Sequence, residues 1–568
     1  MKTITVSEYI LHRLKELNCN HIFGVPGTSC SDFYDFVAAD EQVHTIVTTN
    51  ELEAGYAADG YARYRGLGTL AVSYGVGTLS LANAIAGALV ERSPVLVLNG
   101  GPSVKDVENE RNYGVLFSHS TGRSQSDLKV FQEVTIASSV LNNRVDIPKK
   151  IDALLLEAIN RSGPVYLEVP HHLWKFKVPA PATMLHDQWQ SSIDEGANAQ
   201  FIKMATELVQ QAKKPVVYIG AACVRFNLHT QIQEMLEANN IPYATTVLAK
   251  SILKEDHPLY LGTYDTDLVV KPVRTQLEES DCLIALGCIF GVDQLTLIKK
   301  QYSTMVNLSF DEARIGTRHF ENIDLATFIN GFRLSNPRES LPNEKVSEGM
   351  RHAVDEEPEL TQDTLFSVVN HFIKRSTTDW QTVLDTCLGS FLGADLHMKK
   401  ANTYLANPVW LSIGHGTPAA LGSYCANGLR PVILTGDGGF QMVVQTISSF
   451  VKYNIPAVII ILDNGTYAIE QFLIDPCYFE KAGIEPMPLP YVDLHSWNYE
   501  KMPELFAGGS GFRVRTNKEL LTALQVAEST ETKPVIIAAS LKTTDIPAYT
   551  YQHAEDECKR RRETAEVN

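Results

Sequence analysis

A chain of 568 residues with 44% apolar side chains is long enough for about three globular domains with full cores. Its formal charge of −17 excludes nucleic acid and anionic membrane as partners held by bulk electrostatics, and no apolar run reaches membrane-span length. The nine cysteines are scattered without metal-type spacing, which predicts free thiols in a reducing, cytoplasmic compartment. The opening residues, MKTITVSEYILHRLKELN, carry an amphipathic helix pattern and not that of a signal peptide.

Three α/β blocks follow. The first, 1–180, holds apolar strands TLAVSY, PVLVLNG and PVYLEV between helical patterns. Within it, TTNELEAGYAADGYAR follows the apolar stretch His44 to Val47. Asn50 can cap a helix there, with Glu51 in its first turn, where a carboxylate ordinarily just complements the helix dipole. Ala54, Gly55, Ala57, Ala58 and Gly60 make that helix small enough to pack closely on another element. The second block, 195–345, alternates again through PVVYIG, PYATTV and CLIALG. A polar, glutamate-rich stretch from Leu334 to Thr361 reads as a linker. The third block, 362–568, ends in the charged ECKRRRETAEVN, either a solvated tail or the end of a lid helix. The alternation throughout predicts an α/β protein of three domains, with mainly parallel sheets flanked by helices.

The third block carries the most specific pattern. Val432 to Leu434 runs into Gly436-Asp437-Gly438-Gly439, a helix follows, and a second apolar strand, Ala457 to Leu462, ends at Asp463-Asn464. Polar groups thus sit at the carboxyl ends of both strands, where open α/β sheets place ligands. Asp437 offers a carboxylate and Asn464 an amide oxygen, hard donors suited to magnesium held against a diphosphate. The glycines let backbone N–H groups approach that diphosphate. An Asp-Gly pair alone is usually only a turn. Other cofactor signatures are weaker: Gly75-Val76-Gly77 lacks the third glycine of a dinucleotide turn, and there is no GKS/GKT loop or HExxH site.

GDG followed after two dozen residues by Asn resembles the thiamine-diphosphate (ThDP) fingerprint. FGVPGTS, the Glu51 segment and SYGVGTLSLANAIAG resemble the pyrimidine-binding domain of ThDP-dependent 2-oxo acid decarboxylases. LAKSILKEDHPLYLGTY and SDCLIALGCIF resemble the pyruvate/indolepyruvate decarboxylase branch and argue against a flavin on the middle domain. The resemblance covers nearly the whole chain and implies pyrimidine-binding, central and diphosphate-binding domains in that order. It implies ThDP and Mg2+ as cofactors and a 2-oxo acid as substrate, decarboxylated through a covalent thiazolium adduct and an enamine. It also implies a homodimer or homotetramer with active sites between subunits.

Residue by residue, the resemblance makes Glu51 the cofactor-activating carboxyl. It makes Asp437, Asn464 and the carbonyl of Thr466 the metal ligands, and Ile413 the wedge that bends the cofactor. Thr386, Gly436, Gly438 and Gly439 become diphosphate neighbours. Glu470, in TYAIEQF, and His119, in LFSHSTG, match groups beside the reacting carbons. His171-His172 is given no role, and His415 no fixed one. The chain departs from the branch at three places: Thr28 replaces an aspartate, Ser118 the first histidine of a pair, and Leu388 an acidic residue. Thr28 and Ser118 cannot act as acids near neutral pH. An enamine protonated slowly would couple to an acceptor carbonyl compound, so carboligation is the alternative outcome. A second reading gives Thr28, Ser118 and Arg123 to a polar or anionic substrate.

Overall fold

The chain does not enter its first helix directly. Thr3–Thr5 forms a short strand, paired antiparallel with Lys177–Pro179, and the helix Val6–Glu16 starts behind it. Thr5 sets the boundary: its hydroxyl accepts from Glu8 N–H while Glu8 reaches back to Thr5 N–H, a reciprocal cap. The computed structural model describes residues 2–189, 193–338, 359–479 and 487–567. Most of the polar stretch read as a linker lies outside them.

Three large sheets carry the fold. In the first, the strands run in the order His44–Val47, His21–Gly24, Gly68–Ser73, Val95–Gly101, Val165–Pro170, Ala137–Val140, all parallel. Val95–Gly101 is buried along its whole length, because helices cover both faces. The third sheet repeats this arrangement: Tyr404–Ala406, Trp380–Leu384, Arg430–Gly436, Val458–Asp463, Val535–Ser540, Ser510–Val514, again all parallel. Numbered within each sheet, both read 2-1-3-4-6-5, so strand order reverses between the first and third strands. That reversal opens a crevice at the carboxyl edge.

The middle sheet has five parallel strands, Tyr260–Tyr264, Tyr243–Thr246, Pro215–Ile219, Cys282–Leu286 and Val306–Leu308. An antiparallel hairpin, Ala313–Ile315 and Arg318–Phe320, is added at one edge.

By compactness the chain divides into two units, Met1–Ser191 with Pro418–Gly428, and Ser192–Thr417 with Leu429–Asn568. In the first, the small-residue helix Glu51–Arg65 finds its close partner in residues 418–428: a Cβ on Gly60 would fall 2.1 Å from Ala419 O, and one on Gly422 1.7 Å from Ala57 O. In the second, the middle and third sheets are joined by buried charge. Lys271 Nζ pairs with Asp265 (2.9 Å) and Asp395 (3.3 Å), and Glu255 pairs with Lys250 (2.7 Å) while accepting from Met398 N–H (2.8 Å).

Not all cysteines are free thiols. Cys477 and Cys558 form a disulfide across 81 positions, and the other seven are unpaired thiols. So long a separation leaves no trace in local spacing. The bond ties the turn Pro476–Phe479 to the C-terminal helix Ala548–Val567, and the charged terminal segment belongs to that helix.

Candidate active site

The strand Arg430–Gly436 ends between two parallel neighbours, and the helix Asp437–Val443 begins on the next residue. Side chains cannot be accommodated at this turn: a Cβ on Gly438 would lie 2.3 Å from the Tyr467 ring, and one on Gly439 3.1 Å from Asp385 Oδ2. Asp437 is buried and its carboxylate accepts from the N–H groups of Gly438 (2.9 Å), Asn464 (3.2 Å) and Gly465 (2.7 Å). One side chain thereby fixes the distance between the two strand ends. Burial pushes the Asp437 carboxyl up to about 7, against the pull of those N–H donors. Gly465 takes φ +71°, the left-handed turn that lets the chain fold back after Asn464. Thr466 O accepts from Ala468 N–H (2.8 Å) and keeps a second lone pair.

One cavity brings the motif together. Gly436, Asp437, Gly438 and Gly439 line it with Asn464 and Thr466, and Thr386 and Ile413 close it from the preceding loops. Two polar atoms at its wall, Thr386 Oγ1 and Gln362 Oε1, are buried without a hydrogen-bond partner among the described residues. Such atoms call for a polar occupant. The lining is compatible with a diphosphate: Thr386 offers a hydroxyl donor and the helix start offers N–H groups, while Asp437, Asn464 and Thr466 offer oxygen donors of the kind a hard cation takes.

Glu470 stands in the first turn of the helix Ala468–Ile474, but it is exposed and outside the residues lining this cavity. His415 is buried close to Asp385 without lining the cavity. Leu388 does line it, and packs in an apolar cluster with Phe391, Ala468, Phe472 and Ala554. A carboxylate there would be left unpaired, which accounts for the apolar residue at this place.

In the first unit, Glu51 opens the helix Glu51–Arg65, and the Asn50 side chain caps it by accepting from Glu53 N–H (2.8 Å). Glu53, which the sequence does not single out, is fully buried and accepts from Thr49 N–H (2.9 Å). Glu51 faces the turn Gly75–Gly77: a Cβ on Gly77 would sit 3.3 Å from Glu51 Oε1. His119 packs against the same turn. Gly75 has φ +67°, and a Cβ on it would be 2.4 Å from His119 O. The His119 ring meets Tyr74 edge-on at 5.8 Å. Glu51 and His119 are thus gathered on one glycine turn, held by Asp127 Oδ2 accepting from Gly75 N–H (2.6 Å).

His119 also lines a cavity of about 510 Å³ with Arg123, Asp127 and Glu168. Burial raises the Glu168 carboxyl above its ordinary value. Thr28 and Ser118 are exposed. His171 and His172 form a short 3-10 turn and line neither cavity. Asp127, Glu168 and Asp385 carry no sequence signal, because each sits in an ordinary strand-end or helix-start context.

These strand-end loops and their glycine turns form the ligand-binding edge of an open α/β sheet. The chain belongs to the thiamine pyrophosphate enzyme family: the N-terminal TPP binding domain matches residues 4–131, the central domain 202–332, and the C-terminal TPP binding domain 386–539. Among its relatives are alpha-keto-acid decarboxylases of Mycobacterium tuberculosis (strain ATCC 25618 / H37Rv) and Mycobacterium bovis (strain BCG / Pasteur 1173P2), each 30% identical over 559 residues and covering 96% of this chain and 95% of the relative. The alpha-keto-acid decarboxylase of Mycobacterium leprae (strain TN) is 28% identical over 553 residues, covering 96% and 94%. The family places the chain among ThDP-dependent 2-oxo acid decarboxylases. Among the described residues, no helix is long and apolar enough to cross a membrane.

Proposed function

We propose that this protein decarboxylates a 2-oxo acid non-oxidatively with ThDP and Mg2+, as a homodimer or homotetramer. The observation that carries the reading is the single cavity on which Thr386, Ile413, the Gly436–Gly439 turn, Asn464 and Thr466 converge. When bound, ThDP supplies the electron sink for loss of carbon dioxide; the protein's part is to hold and orient it. Asp437, Asn464 and the Thr466 carbonyl would hold the metal, and Thr386 with the helix N–H groups would hold the diphosphate. Ile413 would be the apolar wedge against the cofactor. Glu51 would hold a proton at the aminopyrimidine ring, and the Gly77 turn keeps the space beside its carboxylate free of side chains. His119 would position or protonate the product side, and Glu470 would act beside the reacting carbons.

Carboligation is the second reading. It is favoured by Thr28 and Ser118, hydroxyl groups that do not serve as acids near neutral pH. Both readings are tested on protein reconstituted with ThDP and Mg2+. A panel of 2-oxo acids is run with and without aldehyde acceptors, following carbon dioxide and all organic products. Free aldehyde as the main product supports decarboxylation. Carbon dioxide release that depends on an acceptor, with a coupled product, selects carboligation. No carbon dioxide from any 2-oxo acid overturns both.

A further inference from the structure

We infer that Asp385 is a positioning residue that fixes the Ile413 loop against the diphosphate turn, and so sets the shape in which the cofactor is held. This rests on the ThDP reading of the cavity. Asp385 follows the strand Trp380–Leu384, which pairs directly with Arg430–Gly436. These are the first and third strands of their sheet, so Asp385 stands at the point where strand order reverses. It is 1% exposed.

Its carboxylate joins two distant pieces of chain to its own strand end. Oδ2 accepts from Gly414 N–H at 3.0 Å and from the Thr435 hydroxyl at 2.9 Å, and Oδ1 accepts from Thr386 N–H at 2.9 Å. Gly414 neighbours Ile413, Thr435 precedes Gly436, and Thr386 lines the same cavity. Glycines beside Asp385 keep the approach close. A Cβ on Gly439 would come within 3.1 Å of Asp385 Oδ2, and one on Gly416 within 3.0 Å of Asp385 Cβ.

The two sides that Asp385 joins are not equally secure. Thr435 and Gly436 belong to a strand laddered on both edges. Ile413 and Gly414 lie in no strand, between Tyr404–Ala406 and the helix Gly416–Asn427. Losing the carboxylate therefore releases Gly414 on the Ile413 side, leaving that loop with its local bonds such as Ser412 N–H to Asn407 Oδ1 (2.9 Å), and leaves the laddered diphosphate turn in place. Asp385 is not among the residues lining the cavity and acts on it through these neighbours, which makes its role one of positioning.

The test measures binding, not turnover. ThDP and inorganic diphosphate are titrated, each with Mg2+, into wild type, Asp385→Asn and Asp385→Ala. Asparagine offers one acceptor oxygen in place of two and cannot serve all three donors. We expect both variants to bind ThDP at least about tenfold more weakly, since bonds to a charged acceptor are lost. Inorganic diphosphate, held by the turn and the Thr386 hydroxyl and lacking the part that meets Ile413, should weaken by less than about twofold, because the turn keeps its donors and Thr386 stays at its own strand end.

Asp385→Asn placed in an Ile413→Ala background should cost little more, as groups that act as a unit are non-additive. Should the Asp385 variants fail to fold, Thr435→Val carries the test. It strips one of the three bonds and should weaken ThDP by about threefold, again sparing diphosphate. Equal weakening of both ligands, or of neither, overturns the inference. Wild-type protein that binds no ThDP would instead overturn the functional reading beneath it.

Discussion

At the scale of single residues, the carboxylates divide by what surrounds them. Asp437 is wrapped in three N–H groups and Asp385 in two N–H groups and a hydroxyl, so both are built into the backbone around them. Glu51 differs: it is half-buried at a helix start with a bare glycine opposite, which leaves its side chain free for an incoming partner. Replacing Glu51 by Gln should keep ThDP affinity within about twofold while lowering kcat by roughly 10²- to 10⁴-fold, the usual span for a lost proton-transfer group. Steady-state kinetics beside a cofactor titration checks this, and unchanged kcat would remove Glu51 from the mechanism. The GDG turn and Glu51 are legible in the sequence because glycine and a short motif mark them. Asp385 and Asp127 are not, because a buried aspartate after a strand looks like any turn former until its distant donors are known.

At the scale of elements, the strands were readable and the packing partners were not. Strands buried on both faces, such as Val458–Asp463, appear as unbroken apolar runs. The small residues of Glu51–Arg65 announce a close neighbour but do not say which, and the neighbour lies more than three hundred positions away. Gly422→Ala tests that contact. A Cβ 1.7 Å from Ala57 O has no room, so the variant should lose about 2 kcal/mol or more in denaturant unfolding, the scale of overpacking.

His21, at the start of its strand, gives a pH test. Burial against Tyr61 and His44 lowers its ring to about 4 from an ordinary 6.5. A depressed folded value means stability that is complete above pH 6.5 and lost as pH falls through about 4. Its contribution is on the order of 3 kcal/mol. Urea unfolding of wild type and His21→Gln between pH 7 and 4 should show wild type falling more steeply; parallel curves would assign the acid sensitivity elsewhere.

For the whole molecule, two sheets share the 2-1-3-4-6-5 order, one before and one after a differently built sheet along the chain. That order cannot be read from strand positions along the chain, since the same alternation of strands and helices permits several. The domain sequence was legible through motifs, and the disulfide was not, because nothing local links Cys477 to Cys558. Closing a loop of 81 positions should stabilise the oxidised protein by about 4 kcal/mol in a chain-entropy account. Cys558→Ser, or wild type held in reductant, should therefore unfold at lower denaturant than oxidised wild type. Coincident transitions would mean that the bond constrains little.

The same bond changes what a broken backbone means. Lys542 is exposed between the last strand of the third sheet and the C-terminal helix, and lies inside the closed loop. A protease that cuts after it would sever the helix from its own main chain without releasing it, because Cys558 still fastens it to Cys477. Such a nicked molecule would run as one species without reductant and as two with it. The C-terminal helix therefore has two independent attachments, and damage to either one alone leaves it in place.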